Sequence, residues 1–389
     1  MMAGSCQADQ MSIDFDGNVT PPIRHWQPLT YAHQSKMALP MLGYICPLLI
    51  LITIVFNTLV VIVLFKKHMR TATNMLLTAM AISDMLTGVV NLPWWIYYYV
   101  FNNYHDPVSL AWCKTYYYVG EFLPIIFHTA SIWLTMALAI QRYIFVCHPT
   151  YSKSWCSMER VKWNIFLIYV ASTVYNVPRF FDTDYVMCET PWPLRANVTE
   201  NSTNIVNHCF KDFKPWVWRI GLNVYFNIYY WFRVILVHVI PCTTLIVLNS
   251  LLLAAMRQAA ERRKKLMQEN RKSESKKLRE SNCTTGMLIV VVSVFLVVEV
   301  PLAIVFILHI CQNTFELQVV SIDVLNTVTL TTAFLIILSY PINFCIYCGM
   351  SKQFRNTFKH LFVKDNMVRS HSGNSTRYTC IANNETTVL

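Results

Sequence analysis

Charge is scarce in this 389-residue chain. Charged residues make up 14% of it, hydrophobic residues 54%, and there are only 9 glycines. A soluble domain carries about 25% charged residues, so the deficit argues against a soluble globular protein and points to lipid as the solvent. No compact basic domain with interleaved aromatics accompanies the net charge of +11, so nucleic acid is not expected as a partner. The cations sit instead in short segments between apolar runs, as they do in cytoplasmic loops. Zinc-ligand spacing is lacking too: of the 13 cysteines, Cys345 and Cys348 resemble a CxxC but lie in an apolar run with no second pair. Nucleophile and metal constellations are missing, so no enzyme is expected. Internal repeats and paired polar gaps are also missing, which disfavours a transporter or channel. Residues Met1 to Lys36 hold no apolar core of signal-peptide length, and the first apolar run is expected to be retained as a signal anchor.

What the chain does have is long apolar runs. About 20 predominantly apolar residues cross a bilayer, and seven stretches qualify: Ala38–Phe65, Thr73–Phe101, Trp112–Val146, Val161–Phe181, Tyr225–Ala255, Thr284–Cys311 and Val319–Cys348. Polar interruptions and Pro178 blur the ends of the fourth. Lys66, Lys67, Arg70, Lys153, Arg160, Lys162, the dense run Arg257–Arg279, and Lys352, Arg355 and Lys359 all fall on one side, which the positive-inside rule makes cytoplasmic. Sequons at Asn18, Asn197 and Asn201 fall on the other side and are expected to be glycosylated, whereas those at Asn282, Asn374 and Asn384 face inward. The fold expected is an all-α membrane protein: a seven-transmembrane helix bundle in the plasma membrane, N-terminus outside, with an amphipathic helix after the seventh span. Residues 1–37 form an extracellular glycosylated tail, 38–350 the membrane domain, 351–363 an interfacial helix and 364–389 a disordered cytoplasmic tail. In the interfacial helix Phe354, Phe358, Leu361 and Phe362 share one face against Lys352, Arg355 and Lys359. Between spans five and six both helices are expected to run on into the cytoplasm, joined by a turn near Asn270–Ser275.

Ionisable groups inside lipid are costly and mark function by default. Asp84 lies mid-span, with Asn57, Ser131 and Asn343 at depths that could meet it. Asp84, Ser131 and Asn343 could hold a sodium ion. At the inner end of span three stands Gln141-Arg142-Tyr143.

Asn57, Asp84, Arg142, Pro241, Pro301, Asn343 and Tyr347 occur in order, one or two per span, at the spacing of rhodopsin-like G-protein-coupled receptors. Three longer stretches sharpen the resemblance: HTASIWLTMALAIQRYIFVCHP, AAMRQAAERRKKLMQENRKSESKKLRESNCTTGMLIVVVSVFLVVEVP and SYPINFCIYCGMSKQFRNTFK. They resemble the sex peptide receptor, or myoinhibitory peptide receptor, family over Gly43 to Phe362. The resemblance implies a heterotrimeric G protein and arrestin as partners, coupling to inhibitory G proteins, and myoinhibitory-type amidated Trp-containing peptides or sex peptide-like molecules as ligands. A receptor for another amidated neuropeptide, myosuppressin- or FMRFamide-like, is the alternative, and a membrane transporter a more distant one.

The departures from the superfamily pattern are specific. Gln141 precedes Arg142 in place of an acid, and Glu280 at the base of span six could supply the missing carboxylate. Glu299 stands where an aromatic normally lies two residues before Pro301. The proline of span seven, Pro341, has moved two residues earlier relative to Asn343 and Tyr347. Trp163 sits too near the inner end of span four to be its mid-helix Trp, and Cys113 lies one turn further from Arg142 than usual. Counting back from Arg142 puts His128 at the depth of Glu299, so the two are expected to pair and to replace the usual aromatic switch.

Span seven has no Lys for a retinal Schiff base. Pro124 stands where an amine receptor has its aspartate. A peptide fits better: Trp94, Trp95, Tyr97 and Tyr98 offer aromatic walls, and Glu121 and Arg233 convergent charges, with His128 and Glu299 deeper in the same interior. A ligand, Glu121 or a lipid headgroup is expected to accompany Arg233. Outer-loop cysteines face an oxidising compartment. Cys209 is chosen as partner of Cys113, leaving Cys188 to pair with Cys6 or Cys311 or to remain free. Thr387-Val388-Leu389 suits a PDZ domain.

Overall fold

The computed structural model describes residues 27–28, 39–101, 103, 107–193, 203–315 and 322–364. Asn18, Asn197, Asn201, Cys6, the expected cytoplasmic tail from residue 365 and the terminal Thr387–Leu389 lie outside the described residues.

Among the described residues seven long helices carry the chain back and forth: span one Leu39–Leu64, span two Ala72–Val100, span three Leu110–Cys147, span four Met158–Asp182, span five Leu222–Gln268, span six Lys272–Phe315 and span seven Ile322–Met350. In lipid every backbone group must be satisfied within its own segment, which leaves the helix as the form these apolar runs can take. Six of the spans are long and apolar enough to cross a membrane by composition, and span four is the exception. At 25 residues and 1.5 Å per residue it is still about 37 Å long, more than a hydrocarbon core. Side-chain oxygens fix four helix starts among the described residues: Thr71 accepts from the Asn74 backbone N–H at 3.2 Å, Ser109 from Trp112 at 3.4 Å, Ser157 from Arg160 at 3.4 Å and Ser351 from Phe354 at 3.2 Å.

The outer ends of four spans widen into π-type turns at Leu39–Ile45, Ile96–Val100, Tyr116–Phe122 and Val234–Val239. The wide turns in span three lie between Cys113 and Arg142, where the sequence carries its extra helical turn. Spans five and six both run on as helix through the basic stretch between them, as expected. The turn between them is tighter than the Asn270–Ser275 stretch suggested, because the span-six helix already starts at Lys272. Asn270 makes the reversal with φ 57°, a conformation asparagine tolerates better than most residues.

Above the bundle lies a hairpin, β2 (Thr183–Pro193) antiparallel to β3 (Thr203–Phe213), with a short strand β1 (Gln27–Pro28) on the outer edge of β3. A disulfide from Cys209 of β3 to Cys113 ties the hairpin to span three, as chosen from the sequence, and Cys311 is free.

Packing divides into two apolar layers with a polar waist between. The inner layer includes Val60, Leu76, Leu134, Leu138, Tyr347 and Phe354. The outer layer includes Ile50, Trp94, Tyr98, Tyr117 and Tyr185. After span seven, Lys352–Lys359 and the wider turns His360–Lys364 form the interfacial helix. Phe354, 1% exposed, plugs into the inner layer against Phe344 and Tyr347, and Phe358, Leu361 and Phe362 pack beside it.

Candidate functional site

The polar waist is built on Asp84 of span two and Glu299 of span six, 3% and 2% exposed. Ser131 donates to Asp84 Oδ1 at 2.6 Å. His128 Nε2 lies 3.2 Å from Glu299 Oε1, and His238 Nδ1 of span five lies 3.4 Å from Oε2. Neither ring nitrogen is aligned for a straight hydrogen bond to the carboxylate, so these are close ionic contacts between groups that a small rotation would join. On its other side His128 Nδ1 meets the Tyr340 hydroxyl at 3.4 Å. If that hydroxyl donates, the imidazole proton sits on Nε2, facing Glu299. His238 is fully buried and stacks on Phe306 with centroids 5.2 Å apart. A small cavity of about 20 Å³, lined by Asp84, Ser131, Asn343, His128, Tyr340 and Glu299 among others, joins the two carboxylates. That volume admits about one water-sized body.

At the outer end, Glu121 lies 3.4 Å from Lys211 Nζ of β3, and both side chains are partly exposed. The Lys211 ammonium also sits 5.1 Å above the Tyr117 ring. Beside them Tyr185 is buried with an unpartnered hydroxyl, and its ring centroid is 5.7 Å from that of Tyr117. Burial and neighbouring Glu121 hold the Tyr185 phenol well above its ordinary pKa, so it remains a neutral donor. Below the hairpin, Asp182 is fully buried and collects Arg179 at 2.5 Å, Thr183 at 2.7 Å, Tyr117 at 3.0 Å and Tyr225 at 3.1 Å. This network locks spans three, four and five to the base of β2.

Residues 44–365 match the family model described as serpentine type 7TM GPCR chemoreceptor Srw. The chain is also 43% identical over 395 residues to the sex peptide receptor of Drosophila melanogaster, covering 99% of this chain and 86% of that one. The chain belongs to the sex peptide receptor family of G-protein-coupled receptors. Sex peptide receptor-related protein 2 of Caenorhabditis elegans is 33% identical over 371 residues, covering 93% of the receptor and 80% of the relative. The FMRFamide receptor of Drosophila melanogaster is 27% identical over 337 residues, 84% of the receptor and 55% of the relative. The receptor is thus a multi-pass protein of the plasma membrane.

Not all residues singled out from the sequence come together in the receptor. Ser131 meets Asp84 and Asn343 lines the same cavity, but Asn57, fully buried, has neither side-chain polar atom partnered and does not line it. Arg142 does not reach Glu280, which is exposed on its own helix. Its guanidinium instead lies 5.7 Å from the Phe145 ring with Nε unpartnered. Gln141 is buried beside it, Tyr143 packs edge-on against His148, and Pro241 is buried while Pro301 is exposed. Arg233 does not pair with Glu121 either, because Lys211 holds that carboxylate. Arg233 contacts the Tyr229 hydroxyl at 3.4 Å and the Phe306 ring at 5.3 Å.

The span-two aromatics pack between helices. Trp94, 4% exposed, packs at a tilt against Trp112 and edge-on against Tyr116 and lies over Gly120, while Tyr97 packs on Trp112 and Trp95 is half-buried. Sequence reasoning missed His238, Tyr185 and Lys211. His238 was detectable: one turn outside Pro241, it is an ionisable residue in an apolar run. Lys211, 90 residues from Glu121, was not.

Proposed function

We propose that the receptor detects an amidated, Trp-containing peptide of the myoinhibitory type, or a sex peptide-like ligand, beneath the hairpin and signals through inhibitory G proteins. Its relatives are named as receptors for sex peptide, FMRFamide and thyrotropin-releasing hormone, which supports a neuropeptide receptor as the general class. The observation that carries the finer reading is the half-exposed Glu121–Lys211 pair beside the unpartnered Tyr185 hydroxyl. A carboxamide has one face that donates and one that accepts. Inserted into this pair it donates to Glu121 and accepts from Lys211, whereas a free carboxylate meets Glu121 as a like charge and a free amine meets Lys211. Trp95, Tyr97 and Arg233 would line the approach, and Trp94 would support them from behind. The test is a panel of amidated Trp-containing peptides and their free-acid forms, applied to cells expressing this chain, with second-messenger readouts of both signs. The reading predicts inhibition of cyclic AMP by the amides and at least about tenfold weaker potency of the acids. Equal potency of amide and acid would remove Glu121–Lys211 from ligand recognition.

Ligand entry is relayed, in this proposal, through Arg233 and His238 to Glu299 and His128, and from there through the shared cavity to Asp84, Asn343, Tyr347 and the inner end at Arg142. The cavity oxygens of Asp84, Ser131 and Asn343 suit a hard monovalent cation, and a sodium ion bound there would neutralise Asp84. We also propose glycosylation at the sequons Asn18, Asn197 and Asn201, a PDZ partner for Thr387–Leu389, and arrestin as a further partner. An extracellular N-terminus is supported by the one-sided cations and by the hairpin disulfide.

A further inference from the structure

Arg233 lies about three helical turns inside the start of span five and is 9% exposed. Arginine keeps its charge under any ordinary condition, and a charge at that depth is costly unless an opposite charge answers it. No carboxylate among the described residues makes an ion pair with it. Glu121 is held by Lys211, Asp184 by Lys214 and Asp182 by Arg179. Glu299 contacts His128 and His238 instead. The polar groups beside Arg233 have protons to give. Its own Nε is buried and unpartnered. Its Nη1 donates to the Tyr229 hydroxyl at 3.4 Å, which leaves that hydroxyl's proton to point elsewhere. The Tyr175 ring of span four stacks on Tyr229 with centroids 6.4 Å apart and planes 20° off parallel. Its hydroxyl is buried, unpartnered and near enough to Arg233 to feel its charge. The Phe306 ring, 5.3 Å from the guanidinium carbon, adds an apolar wall.

We propose that Arg233, Tyr175 and Tyr229 form a small-anion site that binds chloride between spans four and five. One cation with an N–H and two O–H donors suits a spherical monovalent anion. A water molecule could take the same hydrogen bonds, but it would leave the charge uncompensated. Phosphate or sulfate carries more charge than one guanidinium neutralises and more oxygens than three donors satisfy. The bound ion ties span four to span five just outside His238, which makes chloride an allosteric ligand of the receptor. Chloride binding needs no peptide, so the site stands or falls apart from the Glu121–Lys211 reading.

The test is the full-length receptor in phosphatidylcholine nanodiscs, with sodium held constant and chloride titrated against isethionate, a bulkier sulfonate. Thermal unfolding reads the stabilisation, and broadening of the chloride magnetic resonance line reads binding directly. In wild type the unfolding temperature is expected to rise saturably with chloride, and bromide should substitute for it. Arg233→Gln should remove both the saturable rise and the line broadening. Tyr175→Phe and Tyr229→Phe each delete one donor to the ion and should move the chloride midpoint about tenfold higher. Lys214→Gln, at an exposed cation paired with Asp184, should leave the midpoint unchanged. A wild type indifferent to chloride overturns the proposal, and so does an Arg233→Gln variant that titrates like wild type. Protection by acetate but not by chloride would assign the site to carboxylates and overturn the chloride reading. If Arg233→Gln does not fold, Tyr175→Phe decides, and an unmoved midpoint counts against the site.

Discussion

At the scale of single residues, Glu299 is the hardest to account for without function. A carboxylate at mid-bundle costs several kcal/mol unless neutral or paired, and here it is held between two imidazoles from different spans. Removing either histidine leaves it half-supported. A double-mutant cycle of His128→Ala and Glu299→Gln on agonist potency should therefore show a coupling of at least about 0.5 kcal/mol. Additive effects would mean that the two act independently. His238→Ala should couple to Glu299→Gln in the same sense. Asp84 gives a second test: replacing sodium by a bulky organic cation should shift agonist affinity in wild type but not in Asp84→Asn. Insensitivity of the wild type would sink the sodium proposal. The depth match of His128 and Glu299 was readable because both spans are regular helices down to Arg142 and Pro301. Lys211 was not, because nothing in a helical count reports where a distant hairpin folds back.

Elements show why some of the outer site escaped the sequence. The hairpin strands carry Pro191 and Pro193 and no clean alternation, so they read as an irregular loop, and it is the disulfide and the Asp182 network that give them a fixed place. Closing a loop across the 96 residues between Cys113 and Cys209 contributes about 2–5 kcal/mol in the chain-entropy account. Cys113→Ser should thus lower the unfolding temperature in detergent and abolish peptide binding before it abolishes surface expression. Spans two and three make a tight seam at Gly120: a Cβ there would come 2.7 Å from the Trp94 ring. Overpacking of that kind costs about 1–3 kcal/mol, so Gly120→Ala should destabilise the receptor, and Trp94→Leu should partly rescue it. The interfacial helix was legible from its one-sided phenylalanines, but the depth of Phe354 was not, since periodicity marks a face without saying what covers it. Phe354→Ala should cost about 3–5 kcal/mol, read as a lower unfolding temperature with the fold retained.

For the whole molecule, the seven spans were legible because bilayer thickness acts on sequence directly. Span four shows the limit: its polar residues depress its hydropathy, yet Ser172, Asn176 and Asp182 are polar because they face the bundle and are fully buried. The receptor has a charged, partly open outer pair, a buried carboxylate–imidazole cluster and a small cavity beside it. On the proposal made above, an amidated peptide entering beneath the hairpin drives G-protein activation. The most direct measurement is agonist-dependent dissociation of an inhibitory G-protein heterotrimer in cells expressing this chain, comparing wild type with Glu121→Gln at equal surface expression. The account predicts a response to amidated Trp-containing peptides that Glu121→Gln shifts to about tenfold or more higher concentration. A response that is absent from every amidated peptide tested, or that Glu121→Gln leaves unmoved, would contradict it.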